Sequence, residues 1–439
     1  MYLIYWKWKV GSAVAALCKR QCISYEICDD QTPPSSYDAY EVIIPSPWIP
    51  ETHPIYATGR VICELDFAYQ FLPPDFQIVS VTGTDGKSTT AWIMYSILER
   101  EFSVKKGVYL SGNFDIPFSA TVLDILEKWE KKGIIVVEIS SFMAFAIEKY
   151  TSDYSIFTNL KPDHLNWHTS LQWYMDAKMN LMKHTLKKSI INAQLIEFAR
   201  ENRLNIETPE NMRIFAYDKI PHLSLESEVN SVEMIQVRDT TDWENIMVSG
   251  QWEYNLSETH FSGVHNAMNI LACTLVADEM WICSKRVKEY LKSITGLPHR
   301  LELIATKWWI QVVEDSKSTS SQSLSAALGA FGTTKNILLI VGWSDKWDNF
   351  TFLAPLFAKR VRAVVCIGST KQAFIDIAKK VNIAYLATDI LQNGVDWLYF
   401  QREQGDVLIL SPGCASFGLF DDYIDRANQF RHAIQKLPE

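Results

Sequence analysis

Residues 78–81, Ile-Val-Ser-Val, run directly into Thr82-Gly-Thr-Asp-Gly-Lys-Ser-Thr-Thr90, after which Ala91, Met94 and Leu98 recur at helical spacing. A short β-branched strand, a glycine loop and the start of a helix in immediate succession form a phosphate-binding unit. Backbone N–H groups and the helix N-terminus can surround phosphate oxygens, Lys87 adds a point charge, and Ser88 or Thr89 can reach a Mg²⁺ ion. Val81 occupies the place of the first glycine in the usual G-x-x-x-x-G-K-[ST] pattern, so the loop is a variant. The flanking strand and helix favour this reading over a glycine-rich turn with a chance lysine.

Outward from the loop, the runs 134–139 and 154–158 are further apolar strands, each ending in polar residues. Strands that end this way describe a parallel sheet with a site along its carboxyl edge. Glu138 closes the first run and is placed to hold Mg²⁺, although alone it is evenly balanced against a solvated strand end. Asp163 and His164 follow the second run and could ligate metal or orient a substrate; a lone histidine is more often satisfied structurally. Lys178 reads as an ordinary solvated helix lysine.

Residues 1–72 alternate strand and helix signals, with strands over 3–8, 24–28 and 41–44 and a helix over 12–20, which implies a small open α/β sheet. Pro73-Pro-Asp75 is the expected linker. Residues 203–260 lack periodicity and read as a strand-and-loop excursion. A third α/β region begins near Gly296-Leu-Pro-His-Arg300, with strands over 309–313, 337–341, 363–367 and 407–410. It carries Arg300, Glu314-Asp315-Ser-Lys317-Ser-Thr319, Ser344-Asp-Lys346 and Ser411-Pro-Gly-Cys-Ala-Ser416-Phe417. Arginine suits bidentate recognition of phosphate or carboxylate, and lysine suits a compact anion.

With 439 residues, 48% of them apolar, the chain can bury several cores and is not disordered. Lys and Arg total 42 against 51 acidic residues, a net charge of −9, which argues against a chain-wide nucleic-acid or anionic-membrane footprint. No apolar run approaches the ~20 residues of a membrane span. The eight cysteines form no C-x-x-C pair and read as reduced thiols. The first residues lack the charge order and cleavage pattern of a signal peptide, so a cytoplasmic protein is expected.

Taken together, the Thr-Gly-Thr-Asp-Gly-Lys-Ser loop, Glu138-Ile-Ser-Ser-Phe142, the Asn159…Asp163-His-Leu segment, Gly263-Val-His-Asn266 and Gly296-Leu-Pro-His-Arg300 resemble, in this order, the Mur ligases. The Asp315-Ser-Lys-Ser-Thr319 and Leu410-Ser-Pro-Gly-Cys-Ala-Ser416 runs look most like the D-glutamate-adding branch. The resemblance covers nearly the whole chain and is weaker before residue 70. It implies an α/β, three-domain architecture: a small Rossmann-like UDP-sugar domain (1–73), a central P-loop ATPase-type parallel-sheet domain (74–296) and a C-terminal Rossmann-like amino-acid domain (297–439). It further implies ATP and two Mg²⁺ ions as cofactors, with UDP-N-acetylmuramoyl-L-alanine and D-glutamate as substrates, no nucleic acid, and a monomer.

By the same resemblance, Gly83, Thr84, Asp85, Gly86, Lys87, Ser88, Thr89, Asn266, Arg300 and Asp315 serve ATP. Ser88, Glu138, His164 and Lys178 serve the metal ions, with Lys178 carbamylated. Lys87, Glu138, His164 and Lys178 form the catalytic set. Asp29, Asn113, Ser140, Lys317, Thr319, Lys346, Ser416, Phe417 and Tyr423 receive the substrates. The chain departs from the family pattern at the first glycine-rich turn, which keeps only Gly11. Trp167 stands in place of an arginine, Ser320 in place of an asparagine, Trp343-Ser-Asp-Lys346 in place of Gly-Asp-Gly-Lys, and Ala427 in place of a glycine. Two other readings are another ligase of the superfamily and a nucleotide-binding regulatory homologue without catalysis. The C-terminal runs oppose the first, and the retained Lys87, Glu138, His164 and Lys178 oppose the second.

Overall fold

The computed structural model describes residues 1–438 apart from 7–8, 218–231, 238–244, 249–251, 262–263, 332–333, 345–349, 415 and 417–419. Strands β1 (Tyr2–Tyr5), β2 (Tyr25–Cys28) and β3 (Val42–Pro45) form a parallel sheet in the order β2-β1-β3. The first strand stops short of the expected residue 8, because Trp6 turns into the left-handed region (φ 84°).

The second sheet comprises β4 (Asp75–Thr82), β5 (Gly107–Gly112), β6 (Lys132–Glu138), β7 (Ser152–Phe157), β8 (Thr185–Asn192), β9 (Met212–Tyr217), β10 (Val232–Val237), β11 (Asn245–Val248) and β12 (Trp252–Asn255). Their order is β12-β11-β10-β9-β8-β7-β4-β6-β5, parallel from β5 to β10, with β11 and β12 antiparallel at the edge. The unperiodic 203–260 stretch therefore extends this sheet. The central strands are buried on both faces. Val79, Val81, Ile134 and Val136 pack under the helices Lys87–Phe102 and Val264–Glu279, while Ile78, Ile135 and Val137 point to the opposite core.

By its contacts the chain divides into two compact units, Met1–Thr295 and Gly296–Glu439. Within the first, the three-stranded sheet does not stand apart, because one core holds Ile4, Val14, Leu17 and Ile44 together with Phe118, Val122 and Ile125. The helix Glu64–Tyr69, which has no periodic sequence signal, completes the join. Its buried Asp66 carboxylate accepts hydrogen bonds from the backbone N–H groups of Glu148 (2.9 Å), Lys149 (3.0 Å) and Tyr150 (2.7 Å). The buried Glu64 carboxylate accepts one from Ser119 N–H (2.5 Å).

The second unit is a six-stranded sheet of β13 (Glu302–Lys307), β14 (Ile310–Glu314), β15 (Ile337–Trp343), β16 (Val361–Gly368), β17 (Ala384–Ala387) and β18 (Val407–Leu410), in the order β13-β14-β18-β15-β16-β17. Only β13 is antiparallel to its neighbour. All eight cysteines are free thiols. No helix among the described residues is long and apolar enough to cross a membrane.

Replacing Asp66 with alanine leaves three N–H groups, the buried one of Tyr150 among them, without their acceptor. The expected cost is about 3 kcal/mol, read as a lowered melting midpoint of the first unit in calorimetry.

Candidate functional site

In the register of the large sheet, Val81 pairs with Glu138, Gly112 with Glu138, and Thr82 with Phe157. The strand ends that lead into Gly83, Asn113, Glu138 and Thr158 are therefore level along one carboxyl edge. β4 also lies where the strand order reverses: β6 and β5 lie to one side and β7 and β8 to the other. In open α/β sheets, that switch point opens a crevice for ligands.

The loop over this crevice is held from below. Gly83 (φ 144°) lies so close to Thr158 that a Cβ would sit 1.9 Å from Oγ1, and Gly86 (φ 78°) passes Asn269, whose Oδ1 would be 2.7 Å from a Cβ. Neither position accepts a side chain. Asn159 clamps Asp85 from both ends of its amide, accepting from Asp85 N–H (2.9 Å) and donating to Asp85 C=O (3.0 Å). Thr158 Oγ1 also donates to Asp85 C=O (2.6 Å). Thr84 meets the Tyr174 hydroxyl at 3.1 Å, and Lys161 pairs with the Asp85 carboxylate at 2.7 Å. Lys87 begins the helix and donates to Thr84 C=O (2.7 Å), with half-buried Ser88 and Thr89 beside it in the first turn. Asn266 lies a helical turn from Asn269, which donates to it at 3.4 Å.

Lys178 is where the structure departs most from the sequence reading of a solvated lysine. It is fully buried on the helix Leu171–Lys183, donates to Gly83 C=O (2.7 Å), and its ammonium lies 4.7 Å from the Tyr174 ring centre. Burial, reinforced by the Lys87 charge, holds its pKa well below the ordinary lysine value. Glu138 is buried too. One carboxylate oxygen accepts from Asn113 Nδ2 (2.8 Å), and the other, Oε2, has no hydrogen-bond partner among the described residues.

An unsatisfied, buried carboxylate oxygen beside a phosphate loop fits a hard cation such as Mg²⁺. His164 stands at a left-handed position (φ 52°) with its backbone N–H on Asp163 (2.8 Å) and its ring 3.4 Å from the same carboxylate. Burial depresses its pKa, with Asp163 opposing and Lys178 and Lys87 reinforcing the fall, so the neutral imidazole is available as a ligand. Ser140 precedes the short helix Ser141–Ala144. Asp29 lies past β2, its Oδ1 accepting from Gln31 N–H, Thr32 N–H and Thr32 Oγ1.

In the second unit Asp315 is buried, accepting from Leu301 N–H (3.1 Å) and Ser411 Oγ (2.7 Å), while Arg300 is exposed. Burial raises the Asp315 carboxyl to about 7, against the pull of Ser411 and Arg300. Asp315 thus braces the backbone next to Arg300. The Lys317 ammonium lies 5.6 Å from the Tyr423 ring centre, Thr319 is half-buried and Ser416 is buried. Lys346 and Phe417 lie outside the described residues. Among the described residues, one trio of possible metal donors clusters closely: His299, Glu302 and Glu314, within 4.8 Å of one another. Arg431 bonds both carboxylates (2.6 and 2.9 Å) and His299 bonds Glu314 (2.7 Å), so the cluster is an ion-pair network with its valences filled.

Sequence reasoning did not single out Thr158, Asn269, Tyr174 or His168, and it marked Asn159 only as the start of a family segment, with no role attached. His168 is fully buried, hydrogen-bonds Ser141 Oγ (2.8 Å) and stacks on Phe142. Burial, with Lys178 and His164 adding to it, lowers its pKa from 6.5 to about 4. On acidification the unfolded chain therefore takes up this proton first, and stability is lost from about pH 6.5 down to about pH 4. Replacing His168 with glutamine is expected to flatten that loss, read as melting midpoint against pH.

Residues 81–277 match the Mur ligase middle domain. Over nearly its full length the chain is similar to UDP-N-acetylmuramoylalanine–D-glutamate ligases. It is 27% identical to that of Aquifex aeolicus and 29% identical to that of a Hydrogenobaculum species, each alignment covering 99% of this chain and 98% of the relative. Its fold is similar to UDP-N-acetylmuramate-alanine ligase of Thermotoga maritima (TM-score 0.57, 16% identity, 99% of both chains). It is also similar to MurF of Acinetobacter baumannii (TM-score 0.59, 14% identity, 90% of this chain and 85% of that one). With the phosphate loop, the switch point and the Glu138 and Lys178 positions inside the matched span, residues 81–277 are a Mur ligase middle domain, in a chain similar along nearly its whole length to ligases of the D-glutamate-adding kind.

Proposed function

We propose that the protein joins D-glutamate to UDP-N-acetylmuramoyl-L-alanine at the expense of ATP, as a cytoplasmic, monomeric enzyme of peptidoglycan synthesis. One observation carries the reading: the phosphate loop, the unpaired Glu138 oxygen and buried Lys178 share one strand edge, in a chain similar over its full length to ligases of that name. In this reading residues 1–73 hold the UDP-sugar, 74–296 the ATP and 297–439 the incoming amino acid.

The acceptor's alanyl carboxylate oxygen attacks the γ-phosphorus of ATP, and the bond to the β–γ bridging oxygen breaks to release ADP. The amine of D-glutamate then attacks the acyl carbon. The tetrahedral species loses a proton from nitrogen, and its carbon–oxygen bond to phosphate breaks, leaving the amide. No protein nucleophile is required; the work is positioning and charge neutralisation. Lys87 and the loop N–H groups take the phosphate charge, while Asn113 orients Glu138 and Asp163 orients His164. Bound Mg²⁺ supplies further neutralisation of phosphoryl charge, and Ser88, Glu138 and His164 would hold it. The depressed pKa of Lys178 leaves an amine with a free lone pair, the form that can add carbon dioxide to give a carbamate, an anionic ligand for a second Mg²⁺. On the amino-acid side, Lys317, Thr319, Ser416 and Tyr423, with Lys346 and Phe417, are assigned to D-glutamate. Asn266, Arg300 and Asp315 are assigned to the nucleotide.

Phosphate release from Mg-ATP and UDP-N-acetylmuramoyl-L-alanine should depend on D-glutamate, with L-glutamate and other amino acids giving little, and the product should gain one glutamyl residue by mass. Release with a different amino acid, or none from folded protein that binds ATP, would overturn the assignment. Lys87→Ala should lower kcat at least about 100-fold with the fold intact. Glu138→Gln should raise the Mg²⁺ concentration needed for half-maximal rate. Labelled bicarbonate should give a carbamate carbon signal in the wild type that is absent in Lys178→Gln.

A further inference from the structure

The small sheet's third strand ends in Pro45, and the loop that follows carries Trp48. Its side chain is 60% exposed, yet it is held in place. The indole packs on Phe142 with ring centres 4.4 Å apart and meets the His164 ring edge-on at 6.4 Å. Its backbone carbonyl accepts from Trp167 Nε1 (3.1 Å), and Trp167 is itself stacked on Trp173 at 5.2 Å. Among the described residues, Trp129, Trp281 and Trp309 are more exposed still, but Trp48 is the exposed tryptophan whose ring touches residues of the candidate site. A lone exposed indole means little by itself; one fixed at three points beside a reaction centre is a surface prepared for a ligand.

Resting on the function proposed above, we infer that Trp48 is the platform for the reacting arm of the acceptor. Its open face would receive the apolar face of the N-acetylmuramoyl ring and the methyl groups of the lactoyl-alanyl arm, and so select an acceptor by what lies next to its carboxylate. The position decides which part of the acceptor this is. The carboxylate must reach the phosphate loop, where His164 stands, so a ring 6.4 Å from His164 lies beside the groups adjoining the carboxylate. Uracil lies at the far end of the acceptor, beyond sugar and diphosphate. The chemistry agrees, because an aromatic face suits C–H groups and methyls whereas the diphosphate calls for cations and N–H donors. Trp48 shares this wall with Phe142, two residues from Ser140, so the platform is continuous with the Glu138 segment.

The test is equilibrium binding to the full-length protein in the absence of ATP and amino acid, with UDP-N-acetylmuramoyl-L-alanine and UDP as the two probes. Trp48→Ala keeps the backbone carbonyl that Trp167 uses. It should weaken the acceptor about tenfold while changing UDP less than about twofold, and Trp48→Phe should restore most of the loss. In turnover, KM for the acceptor should rise with KM for ATP unchanged. Equal weakening of both probes would make Trp48 a mere loop support, and would overturn the inference. So would an unchanged acceptor affinity, or a wild-type protein that binds no acceptor. If the wild type binds the acceptor, and loses it in Trp48→Ala, but forms no amide with any amino acid, the proposed reaction fails and the platform stands.

Discussion

The register of three parallel strands governs the larger unit. With Val81 opposite Glu138 and Thr82 opposite Phe157, three successive strand ends finish level, and each of the turns that follow contributes a different chemical group. A one-residue slip in β6 would turn Glu138 to the other face of the sheet and take its carboxylate out of the crevice. Val79, Val81, Ile134, Val136, Ile78, Ile135 and Val137 bury both faces of these strands, and the buried Ser80 hydroxyl, at 2.8 Å from that of Tyr150 and 2.5 Å from that of Ser152, adds a polar mark to the register. The packing core is thus what aligns the site.

That alignment accounts for what the sequence could and could not disclose. The loop 82–90, Glu138 and His164 are legible because each follows a strand run directly, and a strand's end is a local property. Lys178 is not legible as a buried amine. Its neighbours on the helix Leu171–Lys183 look ordinary, and its burial arises from the Gly83 carbonyl and Tyr174, brought in by tertiary packing. The family resemblance marked its position, but the physical cause is visible only in the fold. Asn159 and Asn269 are similar cases, because an asparagine that clamps a loop carries no signature in one dimension. The short helix Glu64–Tyr69 escaped for a related reason: it is held by carboxylates that find backbone N–H groups of residues 119 and 148–150.

The departures from the family pattern are less disruptive than they look in the sequence. Trp167 replaces a cation with an indole, yet its N–H reaches the Trp48 carbonyl and its ring stacks on Trp173, so the segment after His164 is pinned by aromatic packing. Trp343 is fully buried at a left-handed position (φ 119°), and the buried Arg426 guanidinium lies 4.9 Å from its ring centre. Arg426 also donates to Ser316 Oγ and to the Ser316 and Cys414 carbonyls, so the segments that carry Lys317 and Ser416 are tied to the helix Tyr423–Gln435.

Two places offer buried carboxylates to a metal, the His299–Glu302–Glu314 trio and Glu138, and hydrogen-bond satisfaction separates them. His299, Glu302 and Glu314 are the closer set, and distance alone would choose them. In that set Arg431 donates to both carboxylates and His299 and the Ser316 amide donate to Glu314, whose pKa is lowered by these bonds against the opposing effect of burial. A cation entering there would have to displace a guanidinium already paired with both acids. Glu138 presents the opposite case. It is equally buried, it is fixed by a single amide at one oxygen, and the other oxygen has no partner among the described residues. Burying an unpaired carboxylate oxygen is costly, and a fold keeps one where a ligand completes it. The deciding quantity is therefore the unfilled valence, and it points to the edge of the parallel sheet beside Lys87.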